Sequence, residues 1–221
     1  MQVGEGIEMT DTDHDPAGET PLARPILILV ADGFADWEIA LLTAAAPDYY
    51  GADVRLSSLD GGEVTSMGGL RVTGVDRFAP TGTEVVVVCG GVGFEAQDGP
   101  QLIARMGPPL RQARADGAAI AGICAGVRVL ADAGLLDGKR HTSNNSDWLN
   151  AVAPGYAGSD LHVDQPQALR DGDTVTAPGT APVSFAAEVL AVAGLPAAHA
   201  DKFRGYLGAE HGARRQPGPA A

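Results

Sequence analysis

The stretch Ala119-Ile120-Ala121-Gly122-Ile123-Cys124-Ala125-Gly126-Val127-Arg128-Val129-Leu130 decides the fold. A short apolar run ends in a turn of small residues, a cysteine stands at the bend, and an apolar helical pattern follows through Val127, Leu130 and Ala131 to Gly134. That order is strand, tight turn, helix, with a nucleophilic side chain at the apex. Gly122, Ala125 and Gly126 suit it because a sharp elbow leaves no room for large side chains. A cysteine there is expected beneath a helix N-terminus, whose exposed N–H groups and dipole favour thiolate over thiol. The alternative is a small buried apolar filler.

Working outward, the same alternation recurs. Pro25–Ala31 is an apolar run of the kind buried on both faces of a parallel sheet, and Asp36–Ala46 reads as a helix closed by Pro47. Asp53–Leu59 is a second strand, and Glu63–Thr73 alternates about Gly68-Gly69 as a small hairpin. Glu84–Cys89 is the strongest strand and ends in Gly90-Gly91; Pro100–Ala115 is a helix. After the elbow come a short strand at Lys139–Ser143, a helix at Ser146–Val152, a strand at Thr174–Ala177 and a helix at Pro182–Ala193. Strands alternating with helices over one core predict a single α/β domain, a doubly wound, mostly parallel sheet with helices on both faces. The boundaries drawn are an acidic leader over 1–24, the α/β domain over 25–210 and a loose Gly/Pro/Arg-rich tail over 211–221.

A chain of 221 residues, 45% apolar, has room for one full core and is long for two domains. No apolar run approaches the ~20 residues that cross a bilayer, and the start lacks the basic and apolar regions of a secretory signal. The net charge of −13 argues against nucleic acid and anionic membranes as partners, which need clustered Lys and Arg. Two cysteines, Cys89 and Cys124, give no disulfide framework and suit a reducing cytoplasm. No Cys/His cluster has the spacing of a metal site, and no cofactor is implied.

In a doubly wound sheet, ligands sit beyond the carboxyl ends of the strands. The Asp32–Trp37 loop with Glu38, the Gly90-Gly91 turn and Cys124 all fall there. Cys124 is the candidate nucleophile. Glu38, in the first helical turn, is either an ordinary acidic residue favoured by the dipole or a carboxyl whose pKa rises beside the sulfur, so that the neutral acid donates to it. Gly90-Gly91 is a tight turn, or it brings the Gly91 N–H to act with that of Ala125 as an oxyanion hole, Gly90 lining the pocket. His141 is the nearest downstream histidine and a candidate general base, or a histidine satisfied within a half-exposed strand. Strand alternation puts His141 and Asn144 on opposite sides, so one of them reaches the site; Thr142 and Asn144 offer polar, uncharged lining. Cys89 is a resolving thiol or an inert buried one. His162 and His211 have no partner spacing.

Leu29–Glu38, Val-Val-Cys-Gly90-Gly91 and Ala121-Gly-Ile-Cys124-Ala-Gly together resemble the ThiJ/PfpI superfamily. It includes the Parkinson-disease-associated deglycase, and its fold is akin to class I glutamine amidotransferase domains. The resemblance covers residues 24–195. It is closest to an amidotransferase-like bacterial branch, through Ala35-Asp36-Trp37-Glu38, Ser66-Met67-Gly68-Gly69 and His141-Thr142-Ser143-Asn144 in the same order. It implies a flavodoxin-like sandwich, often a homodimer, with Cys124 as nucleophile, Glu38 as its carboxyl partner, and Gly91 and Ala125 as oxyanion donors. Protease-like and glyoxalase-like members carry histidine directly after the cysteine, where this chain has Ala125. The deglycase branch has a histidine where this chain has Asn144. The late His-Pro-Glu-like element of amidotransferases is replaced by Ala177-Pro178-Gly179-Thr180.

The expected function is a cytoplasmic, cysteine-dependent enzyme acting on a small electrophile: an amide, an aldehyde adduct or a 2-oxoaldehyde. The alternative is an oxidative-stress sensor or protective protein working through oxidation of Cys124.

Overall fold

The computed structural model describes residues 22–209. The acidic leader, apart from its last three residues, and the C-terminal tail drawn above lie outside that range, as does His211.

Eight strands form one sheet in the order β3-β4-β2-β1-β5-β6-β8-β7. They are β1 Ile26–Leu29, β2 Val54–Ser58, β3 Gly62–Thr65, β4 Arg71–Arg77, β5 Val85–Val88, β6 Ala119–Ile123, β7 Leu169–Asp171 and β8 Thr174–Ala177. The run from β4 to β8 is parallel, and β3 and β7 close the two edges antiparallel. The order reverses at β1, which pairs β2 on one side and β5 on the other, in register at Ile26 with Val54 and Val85.

The central strands are apolar throughout because both faces are covered. Ile26, Ile28, Val85 and Val87 pack with Ile39, Leu42, Phe185 and Phe203 on one face. Leu27, Leu29, Val86 and Val88 pack with Met106, Leu110, Val127 and Leu130 on the other. The first layer comes from α1 (Asp36–Ala40), α6 (Pro182–Ala193) and α7 (Ala197–Leu207), the second from α3 (Gly99–Ala115) and α4 (Ala125–Asp132). The expected single α/β domain, doubly wound and mostly parallel, is present.

Three expectations differ in detail. The first helix does not stop at Pro47. A π turn at Leu41–Ala45 follows α1, in which the Ala46 N–H donates to the Leu41 carbonyl, and α2 (Ala46–Tyr50) continues to Gly51. Pro47 follows directly on the π turn within this continuous helical run, where the irregular turn accommodates a residue with no N–H to donate. Lys139–Ser143 is not a strand. It makes one isolated bridge, His141 with His162, and runs as a loop into α5 (Ser146–Val152), capped by the Asn145 side chain, which accepts from the Trp148 N–H. β7 and α7 are additional elements outside the alternation read from the sequence. No described helix is long and apolar enough to cross a membrane.

Candidate active site

β6 delivers the elbow. Its residues are fully buried, and Cys124 follows at φ 54°, ψ −124°, the one positive-φ non-glycine among the described residues. Such a conformation costs on the order of 1–3 kcal/mol. It is held from both sides: the Cys124 N–H donates to the Ala177 carbonyl at 2.9 Å, and its carbonyl accepts from Val127 at 3.0 Å. The small residues are required sterically. A Cβ on Gly126 would lie 2.1 Å from the Val88 carbonyl oxygen. The sulfur stays half-buried rather than sealed in the core.

Glu38 reaches the same point from α1. Its side chain is buried at 1% exposure, and Oε2 accepts the Gly90 N–H at 2.7 Å. Oε1 has no hydrogen-bond partner of ordinary geometry. A Cβ placed on Gly179 would lie 2.9 Å from the Cys124 sulfur and 3.2 Å from that Oε1, so sulfur, carboxyl and the Gly179 backbone meet around one point. Gly90 is tied to this crowding, since a Cβ there would sit 2.6 Å from Oε2 and 2.7 Å from the Cys124 Cβ.

Gly91 adopts φ 144°, a conformation open to glycine, and a Cβ would strike the Gly33 carbonyl at 2.2 Å. It bridges Phe34, but the bonds of that bridge run from Ala35 N–H to Gly90 O and from Val92 N–H to Gly33 O. The Gly91 N–H is therefore not used in pairing. Ala125 opens α4, and its N–H is directed at the Cys124 sulfur.

The 140s loop separates the candidates. Asn144 Nδ2 donates to the Cys124 sulfur at 3.4 Å, while its Oδ1 accepts the Gly179 N–H at 3.0 Å. His141 does not take part: it is fully buried, with Nδ1 against the Lys139 carbonyl at 2.7 Å and Nε2 against the Tyr156 hydroxyl. With both ring nitrogens engaged, and burial lowering its pKa, it makes no hydrogen bond to the thiol. The general-base role expected of it is corrected to a structural one. Thr142 is also fully buried, its N–H donating to Thr176 Oγ1 at 2.8 Å, so it anchors the loop to β8 instead of lining an open pocket. His162, without partner spacing in sequence, bonds Ser143 Oγ at 2.8 Å and helps hold the segment that presents Asn144.

Two participants were not read from the sequence. Gly179 closes over the sulfur through its backbone alone. Trp37 donates its indole N–H to the Gly179 carbonyl at 3.0 Å and fixes that closure. A backbone contact leaves no side-chain signature, and an aromatic residue in a first helical turn is ambiguous. Cys89, fully buried, lies 3.7 Å from Glu38 Oε2 and 3.6 Å from the Ala35 carbonyl.

Burial raises the Glu38 carboxyl from 4.5 to about 7, against the opposing pull of Cys124, Gly90 and Cys89. Burial also raises the Cys124 thiol, and a Glu38 carboxylate adds to this, pushing it up to about 11 despite the Asn144 amide and the Ala125 N–H. Desolvation and a neighbouring carboxylate oppose the thiolate that the helix terminus favours, so sulfur and carboxyl compete for one proton. Burial, with the Glu38 charge second, holds the Cys89 thiol far above its ordinary range, which opposes a resolving role. A crevice of about 770 Å³ opens beside Asp32, Asp60, Leu102 and Arg105, but none of Glu38, Cys124 and Asn144 lines it.

Residues 24–192 match the model of the DJ-1/PfpI family. The chain belongs to the DJ-1/PfpI family. A DJ-1 superfamily protein from Agrobacterium tumefaciens superposes with a TM-score of 0.76 at 38% identity, covering 85% of this chain and 99% of the other. A Bacillus subtilis protein called an uncharacterized protease, YoaZ, is 29% identical over 177 residues, covering 76% of this chain and 82% of that one. The Drosophila melanogaster protein dj-1beta is 30% identical over 166 residues, covering 72% and 84%. The family assignment and the fold implied by the sequence motifs agree with these likenesses.

Proposed function

We propose that this chain is a cysteine-dependent enzyme acting on a small electrophilic carbonyl compound: an amide, an aldehyde adduct or a 2-oxoaldehyde. The observation that carries the reading is the strained, half-buried Cys124 with the Glu38 carboxyl, the Ala125 N–H and the Asn144 amide converging on its sulfur. The thiol attacks the carbonyl carbon as its proton passes to Glu38, and the developing oxyanion takes hydrogen bonds from the Gly91 and Ala125 N–H groups. Glu38 then returns the proton to the leaving group or to the oxyanion. Relatives named as proteases support a hydrolytic outcome, in which water attacks the thioester left after the leaving group departs, the acyl–sulfur bond breaks and the thiol regains its proton. With Ala125 after the cysteine and His141 bonded elsewhere, Glu38 is the acid–base group in this scheme. Turnover of a panel holding methylglyoxal, small amides and esters tests it: Cys124→Ser abolishes activity on whichever compound is consumed, and unchanged turnover in that variant overturns the reading.

A second reading is favoured by the two N–H donors aimed at the sulfur, which also suit a Cys124 sulfinate formed with two equivalents of peroxide. Intact mass after mild peroxide treatment decides: two oxygens confined to Cys124, with no turnover on the panel, support the sensor. The proposal includes a homodimer and a cytoplasmic location. Trp37, Met67 and Leu70, 50%, 42% and 62% exposed, support pairing with a second copy. Two free cysteines support a reducing compartment. The −13 net charge supports a small-molecule substrate over nucleic acid or a membrane surface.

A further inference from the structure

Glu38 is faced by two sulfurs, and the proposed function uses one of them. Its two oxygens differ sharply in their surroundings. Oε2 accepts the Gly90 N–H at 2.7 Å and lies 3.7 Å from the Cys89 sulfur, whose single proton is shared with the Ala35 carbonyl at 3.6 Å. Oε1 has no donor of ordinary geometry and sits beside the Cys124 sulfur. A carboxyl oxygen that already accepts two donors is the poorer seat for a proton; the oxygen whose one polar neighbour is the Cys124 sulfur is the better one.

We propose that Cys89 is a positioning residue for the Cys124 site: its buried thiol, with the Gly90 N–H, occupies Oε2 of Glu38 and so directs the exchangeable proton to Oε1. This rests on the proposed role of Glu38 and Cys124. When the Cys124 S–H bond breaks, its proton bonds to Oε1 and the sulfur keeps the electron pair; the reverse transfer restores both groups. Cys89 keeps its own proton throughout, so no oxidant or second disulfide partner is involved. The titratable groups facing Glu38 are the two thiols, Cys89 from the end of β5 and Cys124 from the elbow. Gly90 supplies an N–H, and the Gly179 side supplies backbone alone.

The test is the pH profile of Cys124 alkylation by iodoacetamide, read by intact mass and peptide mapping, in wild type, Cys89→Ala, Cys89→Ser and Glu38→Gln. In wild type the rate rises through a limb near pH 7 that Glu38→Gln removes. Cys89→Ala deletes a donor that favours the carboxylate, so the limb moves up by about half a pH unit. Cys89→Ser keeps a donor and holds the limb at or below its wild-type position. A merely structural role would change stability and leave the limb in place. If the limb exists and depends on Glu38 but is the same in both Cys89 variants, the positioning role is overturned while the Glu38–Cys124 pair stands. If wild type and Glu38→Gln share one profile, the pair itself fails and the role of Cys89 falls with it. Cys89→Ala decides alone if Cys89→Ser does not fold; if Cys89→Ala does not fold, Cys89→Val, which also lacks a donor, takes its place with the same expected upward move, and an unmoved limb overturns the positioning role.

Discussion

Replacing Glu38 by glutamine isolates what the buried carboxyl does to stability. In the unfolded chain that carboxyl titrates near 4.5; in the fold, burial raises it to about 7. Between those values the native state holds a proton that the unfolded chain has released, so the free energy of unfolding falls as pH rises. The stabilising effect is fully present below the unfolded value and is gone above the folded one. A displacement of that size corresponds to roughly 3 kcal/mol, and at 1% exposure solvent screening discounts it little. Glutamine keeps an oxygen for the Gly90 N–H and places an amide where the protonated oxygen stood, so it removes the titration with small change in shape. Urea unfolding of both proteins at unit intervals from pH 4 to pH 8 reads the difference directly. His141, His162 and the other titrating groups are common to both proteins and cancel. Wild type is expected to lose about 3 kcal/mol relative to Glu38→Gln across the window and to be the less stable of the two at pH 8. Parallel stability curves would show that the carboxyl ionises normally in the fold, and the argument from desolvation would be wrong.

Other perturbations address other parts of the site. Asn144→Ala removes an amide that holds the thiol down, so alkylation of Cys124 at pH 8 slows by about 3- to 10-fold, corresponding to the loss of its ~1 kcal/mol hydrogen bond to the sulfur, while loss of the bond from the exposed Gly179 N–H lowers the unfolding free energy by about 1 kcal/mol. Gly179→Ala places a methyl 2.9 Å from the sulfur, and the alkylation rate falls at least as far while the circular dichroism stays native. Gly91→Ala forces a side chain onto the Gly33 carbonyl at positive φ, and denaturant unfolding shows a loss above about 2 kcal/mol. His141→Ala strands the Tyr156 hydroxyl and opens a void, so stability drops by about 2–4 kcal/mol while the pH limb of Cys124 alkylation keeps its place; a shifted limb would return the histidine to the site.

The parts legible in sequence were those in which side-chain type and chain position say the same thing. The elbow is such a case: apolar β6, small residues about Cys124 and the pattern of α4 leave one local geometry. Glu38 was legible through its place in the first turn after β1, which topology brings to the elbow. The 140s loop was misread because alternation applies to strands, and this segment pairs at His141 alone; its remaining order comes from Thr176, Ser143 and His162, contacts made across the fold. The influences on the sulfur's charge are legible only in part, for a different reason. A dipole is visible from the sequence of a helix start, whereas the desolvation that opposes it depends on how closely Gly90 and Gly179 approach.

That closeness also explains how a strained cysteine persists. The backbone of Cys124 is tied through Ala177 to β8 and through Val127 to α4, and both neighbours are buried in the core. Gly179, two residues beyond Ala177, is clamped in turn by Asn144 on its N–H and by Trp37 on its carbonyl. Local relaxation of the elbow would require movement of β8, the 140s loop and the start of α1 together. Trp37→Phe cuts one clamp at the rim and leaves the core alone. It should therefore lower global stability by no more than about 1 kcal/mol while increasing amide exchange locally at Gly179 and Cys124. If exchange rose uniformly across β6 and β8 instead, the elbow would be held by sheet packing and not by this ring of backbone contacts.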